Sequence, residues 1–480
     1  MADGRNRLAH SILVNGGQPD LTRAELWEYA GVSKTQGGAN LEALQQLKIV
    51  QPESHLCFGP ALGLVLGISV GSESLRAALV DANGEVRIAG GAPSRVGRLK
   101  QHPDVVLDEI AEVAKGVLEE ALTDDQLVIE PSSGEAKGKR AIPLVGVAVG
   151  WPPSVHRQTK MPAGRAMDVR WQESKEDLTE LVAQRLGLPP ERSYALSAAH
   201  AVALGAAFDD GRSPTEGLSR ESSYVMLAVR LGGNISAGTV TVEPPQVAGA
   251  EGREITVSGF CRSSLIEGTS GFAGEIGHLA ISNALMRRVN SEAQNELAPL
   301  SRKWPCGCGQ KMHLEALASA TALVRRIRST SELGFSGQRW PADDEWEHGS
   351  IMHAVLPHFD HPLVEQALFA SGRLVGHALA SPILMLDPRT VVITGPLAHS
   401  EVKRGIEAEL TTLGLVRPSD PVTIRLLEDE ENTFAVPRGA ALSVLRERVY
   451  KQLDDLVKKA PGSLRNHAVP ITAESLPQIA

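Results

Sequence analysis

Cys306-Gly307-Cys308-Gly309-Gln310-Lys311-Met312-His313-Leu314-Glu315 sets two cysteines one residue apart and a histidine five residues beyond the second. Zinc favours thiolate sulfur and imidazole nitrogen, and a closed structural site needs four such ligands. Upstream, Gly271-Phe272-Ala273-Gly274-Glu275-Ile276-Gly277-His278 offers the fourth. The ligand set expected for a structural zinc ion is therefore His278, Cys306, Cys308 and His313. The bland alternative is two buried cysteines beside two unrelated histidines.

Together these two segments resemble the signature of the ROK family (repressors, uncharacterised open reading frames and sugar kinases). The family pattern has a third cysteine where this chain has His313, and a glycine where it has Met312. The resemblance covers residues 3–456. It implies an α/β fold with a two-lobed, actin-like ATPase (sugar kinase-like) core. The expected organisation is an all-α winged helix-turn-helix domain over 1–58, a first lobe over 59–200 completed by a C-terminal helix over 439–456, a second lobe over 201–438, and a flexible tail over 460–480.

Composition bounds the function classes. A chain of 480 residues holds two or three domains with ample cores. Its 42% hydrophobic and 22% charged residues describe an ordinary globular protein. No run approaches the ~20 consecutive apolar residues of a membrane helix, and Met1-Ala2-Asp3-Gly4-Arg5 lacks the layout of a signal peptide. Four cysteines, two of them in a C-x-C, suit a reducing compartment. A cytoplasmic location without membrane contact is expected. The net charge of −9 means that any nucleic-acid contact must come from a local surface.

That surface is sought in residues 1–58. Leu8, Ile12 and Leu13 recur at helical spacing over Arg5–Val14. Thr22 with Glu25 forms a capping-box pattern for a second helix, Arg23–Tyr29. Gly31-Val32-Ser33 then makes a turn, and Ser33 caps a third helix carrying Leu41, Leu44 and Leu47. Helix, glycine turn, helix is the helix-turn-helix layout, with Ile49-Val50 and Leu56–Phe58 as a short wing. Ser33, Lys34, Thr35, Gln36 and Asn40 are the candidate phosphate and base contacts. Against DNA binding, the segment holds five basic and six acidic side chains, whereas phosphate neutralisation supplies most DNA affinity. Gly37-Gly38 also costs about 1 kcal/mol per glycine relative to alanine. A three-helix protein-contact module fits as well.

The core resembles the family's kinases with their chemistry removed. The strand Leu62–Gly71 ends on Ser69, Gly71 and Glu73 or Ser74, where family kinases have aspartate, glycine and threonine. At the turn after Tyr194 those kinases carry Asn-Asp, the aspartate acting as general base on the sugar hydroxyl. Here Ser197 and Ala198 stand there, and alanine cannot accept a proton. His200 lies two residues on and reads as a surface or capping residue. Asn234 and Ser236 replace glycines of the second phosphate segment, and Pro396 follows Gly395 where a second glycine is usual. No ATP is expected. The resemblance assigns sugar-hydroxyl contacts to Glu275, His278 and Glu315, and the alternative is that Glu315 caps a helix while His278 only holds zinc.

Leu279–Pro305 intervenes between the histidine and the cysteines, carries Arg287-Arg288 and Arg302-Lys303, and reads as a surface insertion suited to protein contacts, or as an inert loop. The resulting expectation is a kinase-inactive, non-enzymatic regulator of transcription, a repressor-type pseudokinase. It would hold structural zinc, respond to a sugar or sugar phosphate, and assemble as a homodimer or homotetramer on DNA half-sites. The alternative is a regulator that contacts RNA polymerase or another protein instead of specific DNA.

Overall fold

The computed structural model describes residues 2–15, 23–46, 49–50, 58–71, 74–92, 98, 101–130, 137–152, 154–156, 162–163, 177–212, 222–244, 246–248, 255–257, 259–292, 300, 304–328, 360–415, 422–453 and 468–476. Three helices open the chain: α1 (Ala2–Asn15), α2 (Arg23–Tyr29) and α3 (Lys34–Gln46). Leu8, Ile12, Leu26, Leu41 and Leu44 bury one another between them. Gly31 turns the chain with φ +58°, and its carbonyl accepts from Arg7 Nη1 at 2.7 Å. Ser33 Oγ accepts the Gln36 N–H at 3.3 Å, the N-cap contact that its sequence position implies. Gly37 is there for space: a Cβ would lie 2.4 Å from Trp27 Cδ1, whereas nothing lies within 4 Å of one on Gly38. Val50 pairs with Phe58 in an isolated antiparallel bridge. Thr22, Leu47, Leu56 and residues 460–467 fall outside the described residues.

The first lobe contains β1 (Leu64–Val70), β2 (Leu75–Val80), β3 (Val86–Ala92), α4 (Pro103–Ala121), β4 (Ile142–Trp151), β5 (Ser154–Val155), β6 (Pro162–Ala163), α5 (Leu178–Leu186) and β7 (Ser193–Ser197). Helix α6 (Ala198–Arg212) leads to the second lobe. That lobe contains β8 (Tyr224–Leu231), β9 (Ile235–Val242), β10 (Gln246–Ala248), β11 (Ile255–Val257), β12 (Ser264–Leu265), α7 (Asn283–Glu292), α8 (Leu314–Ala318), α9 (Ala320–Arg328), α10 (Pro362–Leu386), β13 (Thr390–Thr394), α11 (Ser400–Thr412) and β14 (Thr423–Leu426). Helix α12 (Asp429–Arg448) crosses back, and β15 (Val469–Ile471) ends the described chain.

Among the described residues, the first sheet runs β15-β4-β1-β2-β3, with β7 also on β4, and the second runs β12-β9-β8-β13-β14. Strand β4 is buried at all ten positions because α4 and α5 pack on one face and the later helix α12 on the other. Its first half pairs antiparallel with β15 and its second half parallel with β7. The segment expected to be a flexible tail therefore contributes a strand. Ile471 and Leu476 are buried, and Thr472 and Ser475 form a capping box that closes the following turn. The final crossing helix starts at Asp429, ten residues before the expected Gly439, because Glu and Asp in its first turn suit the helix N-terminus.

The described part of the insertion is packed, while 293–299 and 301–303, with Arg302 and Lys303, lie outside the described residues. Its helix α7 buries Leu285, Met286 and Val289 in the second-lobe core. Arg288 reaches Glu409 of α11, which is fully buried. Arg373 of α10 donates to the same carboxylate through Nε and Nη2 at 3.0 and 2.7 Å, and His377 Nδ1 lies 3.3 Å away. Helix α10 is long and apolar enough to cross a membrane. Here it is the spine of the second lobe, with Gly372 and Gly376 laid against the backbone of Val402 and Ile406.

Two stability outcomes follow from this packing. Gly37→Ala should lower stability by about 1–3 kcal/mol by overpacking against Trp27, while Gly38→Ala should raise it by up to about 1 kcal/mol; urea unfolding of both variants checks the opposite signs. Glu409→Gln leaves two arginines without their carboxylate and should cost about 3–5 kcal/mol, measured the same way.

Candidate metal centre and interlobe site

The segment after β12 is placed by its glycines. A Cβ on Gly274 would lie 1.8 Å from Ala237 O, one on Gly277 2.4 Å from Ile235 O, and one on Gly271 2.3 Å from Val155 O. Gly271 and Gly274 also adopt φ +80° and +94°, which glycine alone takes without strain. Glycine at every third position thus lays this backbone on β5 and on the edge of β9, where Gly274 O accepts the Ala237 N–H at 2.7 Å. Glu275 and His278 lie between and beyond these contacts.

The His278 segment then pairs with the segment that carries His313. Ala280 bridges His313, the Ile281 N–H donates to Met312 O at 2.7 Å, and the Leu314 N–H donates to Leu279 O at 2.9 Å. Cys306 and Cys308 sit on a tight turn closed by Gly309 at φ +88° and by the Cys306 N–H to Gln310 O at 2.9 Å. All four expected ligand atoms converge within 4.8 Å of one another. His278 Nδ1 is 3.2 Å from His313 Nδ1. Cys306 Sγ is 3.3 Å from His313 Nδ1 and 3.9 Å from His278 Nδ1, and Cys308 Sγ is 3.1 Å from His313 Nδ1.

Zn–S and Zn–N bonds of about 2.3 and 2.0 Å give tetrahedral edges of roughly 3.3–3.8 Å, so these separations fit a metal ion held by two sulfurs and two nitrogens. The two sulfurs, 2.7 Å apart, are closer than such an edge and farther than the roughly 2.05 Å of a disulfide. Burial, and then the neighbouring Cys308, push the Cys306 thiol up to about 11. Burial, and then His278, lower the pKa of His313 and keep it the neutral imidazole that a metal ligand must be. Glu275 Oε2 lies 3.6 Å from His278 Nε2, on the ring edge away from the cluster, the usual carboxylate support of a ligating histidine. A zinc ion there would supply a structural tether between the His278 loop and the start of α8.

Glu315 is 8% exposed and accepts the Ile235 N–H at 3.4 Å. Burial raises its pKa; His278 and the backbone N–H groups of Ile235 and Gly307 oppose the rise. Glu275, His278 and Glu315, the expected sugar contacts, therefore form one electrostatic group. Phe272 is half exposed beside it. The capping alternative for Glu315 is not what is seen, since its carboxylate faces β9.

Across the interlobe cleft, β7 delivers Ser197 to the start of α6. Ala198 is buried and has no polar atom. His200 is 4% exposed, not the surface or capping residue its sequence position suggests. Its Nε2 lies 3.2 Å from Ile266 O and its Nδ1 2.9 Å from Ser197 Oγ. A carbonyl only accepts, so Nε2 carries the proton and Nδ1 accepts from the serine. Burial lowers the His200 pKa and favours this neutral form. The partner, Ile266, is 66 residues away in sequence, which is why local pattern could not reveal the role.

The turns that correspond to nucleotide loops are internally closed. Gly232 N–H donates to Asn234 O at 3.0 Å, and Arg230 folds over Gly232. Asn432, in the first turn of α12, accepts from Thr394 Oγ1 and the Gly395 N–H at 2.8 Å each and donates to Gly395 O at 3.0 Å. In α3, Ser33, Lys34, Thr35 and Gln36 are exposed. Asn40 is 8% exposed and lies with Leu41 and Leu44 on the inner face, so the expected base contact from Asn40 is corrected: helical periodicity turns it into the core.

A two-lobed core with paired mixed sheets, crossed by two helices, is the actin-like sugar kinase architecture. Residues 260–447 match the sequence model of the ROK family, and the chain carries a ROK family domain. A "Putative xylose repressor" of Caldicellulosiruptor sp. (strain Rt8B.4) is 25% identical over 334 residues, 69% of this chain. The match spans 65% of that relative's length. A ROK family transcriptional regulator, described as a homologue of the E. coli MLC protein, superposes with a TM-score of 0.55 at 16% identity over 96% of this chain and 100% of its own. A ROK family glucokinase from Streptomyces griseus, in complex with glucose and AMPPNP, gives 0.52 at 19% identity over 79% of this chain and 98% of its own. These solved structures are similar in fold.

Metal analysis checks the quartet. The purified chain should carry zinc near equimolar, and Cys306→Ser or His313→Ala should lose at least tenfold in zinc affinity, read by a chromogenic chelator competition.

Proposed function

We propose that the chain is a ROK-type transcriptional regulator that binds DNA through α2 and α3, holds a structural zinc ion and transfers no phosphoryl group. The observation that carries this reading is the exposed row Ser33, Lys34, Thr35 and Gln36 at the start of α3, on a compact three-helix unit. A helix N-terminus with lysine and short polar side chains suits phosphate and base-edge contacts. The repressor named among the relatives and the regulator fold matched along 96% of the chain support it.

Loss of kinase chemistry is supported residue by residue. Ala198 stands where a proton acceptor is needed, both ring nitrogens of His200 are engaged, and Asn432 takes the Gly395 N–H and Thr394 hydroxyl. Glu275, His278 and exposed Phe272 support a sugar-type effector at the cleft. A homodimer or homotetramer in the cytoplasm, placing two such units on a two-fold symmetric site, completes the reading. The second reading, contact with RNA polymerase or another protein, is favoured by the acidic balance of residues 1–58. Within the insertion, Arg288 is bound to Glu409, Arg287 is exposed, and Arg302 and Lys303 lie outside the described residues.

The full-length protein incubated with genomic fragments at near-physiological salt should enrich a two-fold symmetric site. Lys34→Ala should weaken binding to all sequences and lower the salt slope by about 1, whereas Gln36→Ala should cost about 1–3 kcal/mol and relax one base position. No enriched fragment, with a stoichiometric protein companion, would favour the second reading. ATP-dependent phosphorylation of any sugar would overturn the kinase-inactive part.

A further inference from the structure

A cavity of about 500 Å³ opens beside the hinge, within the size range of small-molecule sites. Its walls come from both lobes. Glu85 and Val86 of the β2–β3 turn face Arg425 and Leu427 at the end of β14. The floor is one face of α6, from Val202 to Asp209, and one face of α12, from Glu430 through Phe434 to Arg438. The i, i+4, i+8 spacing of those α12 residues turns them away from Asn432, which holds the Gly395 loop. None of the wall residues belongs to the metal quartet, the Glu275–His278–Glu315 group or the closed nucleotide-type turns.

The charges in the cavity are of two kinds. Arg438 is neutralised in place: Nη1 and Nη2 donate to Asp209 at 2.8 and 2.6 Å, and Nε to Gly84 O at 2.8 Å. Its charge is already matched by the Asp209 carboxylate, and it fixes the wall. Arg425 is different. Its Nη2 donates to Glu431 at 3.0 Å, its side chain is 38% exposed, and its remaining Nη N–H groups carry no other hydrogen bond among the described residues. A guanidinium with spare N–H groups at a cavity wall is best answered by a carboxylate. Glu430 carries no ion pair among the described residues, and the wall holds four carboxylates against two guanidiniums. A carboxylate ligand alone would raise that negative excess, whereas an ammonium on the same ligand relieves it. Val86, Val202, Leu427 and the ring of Phe434 supply an apolar patch between the charges.

We propose that this hinge cavity binds a small zwitterion, an α-amino acid, with its carboxylate on Arg425, its ammonium on the Glu430 side, and its side chain against Phe434. The apolar patch that receives the side chain joins Phe434 of α12 to Val86 of the first lobe, so the ligand touches both. The site goes beyond the DNA-binding reading and does not depend on it.

The test uses the full-length protein and the twenty common amino acids, one at a time at millimolar concentration, by thermal shift and then titration calorimetry. D-glucose and D-xylose serve as comparators. At least one amino acid should raise Tm and bind. Arg425→Gln should weaken that binding tenfold or more; Glu430→Gln, on an exposed turn, should weaken it severalfold and covers the case in which the arginine variant does not fold. Glu275→Gln should leave it unchanged. The proposal is overturned if no amino acid binds, if binding survives both cavity variants unchanged, or if only a sugar binds in an Arg425-dependent way.

Discussion

The crossing of α6 and α12 is the contact on which the two-lobed structure depends. It is a backbone contact: a Cβ on Gly439 would lie 1.8 Å from Ala201 O, and Gly205 faces Gly439 across the seam. Gly67 at the middle of β1 similarly admits Pro437 O, which a Cβ would meet at 1.8 Å. Three glycines thereby let one helix lie on the first-lobe sheet and on the other helix at once. Side chains larger than hydrogen at these positions would separate the layers, since packed interiors give little on the scale of a methyl group. Both lobes hang from this seam, so whatever binds between them acts through it.

The same device builds the candidate metal centre. Glycines at 271, 274 and 277 lay a loop against β9 and β5, and the intervening residues are thereby aimed. This explains why much of the site was legible in the sequence. Ligand types and spacing are local, and thiolate with imidazole admits few readings. The lobe order, the strands β1, β4, β8 and β13 and the helix α4 were legible for the same reason, as continuous apolar or 3.6-period runs.

What was not legible depended on distant partners. His200 reads as a surface residue until Ile266 O is seen at its Nε2. Arg288 reads as a free surface charge until Glu409, 121 positions on, is seen beneath it. Strand β15 has only three residues, and their strand character comes from pairing with β4, not from pattern. Asn40 was misplaced for a simpler reason: polar character suggested exposure, but its register with Gly37, Leu41 and Leu44 puts it inside. Gly37 looked like a helix weakness and is a packing requirement of Trp27.

The attachment of the three N-terminal helices bears on how ligand binding in the core could reach them. Asn83 grips the linker, accepting the Phe58 N–H at 2.7 Å and donating to its carbonyl at 3.0 Å, and is itself held by Asp81. That grip belongs to the first lobe. Helix α1, however, rests on β11 of the second lobe and on α6. Beneath it, Phe208 of α6 packs against Phe260 and Tyr450 with ring centroids 5.2 and 6.1 Å apart, and Tyr450 Oη donates to Ala82 O at 2.9 Å. The helical unit is thus fastened to both lobes through buried contacts on one side of the hinge. A ligand shifts an equilibrium only by its differential affinity for the two states. One that favours a particular lobe separation would meet that condition here, because the Phe58 grip lies on the first lobe and the α1 contact on the second.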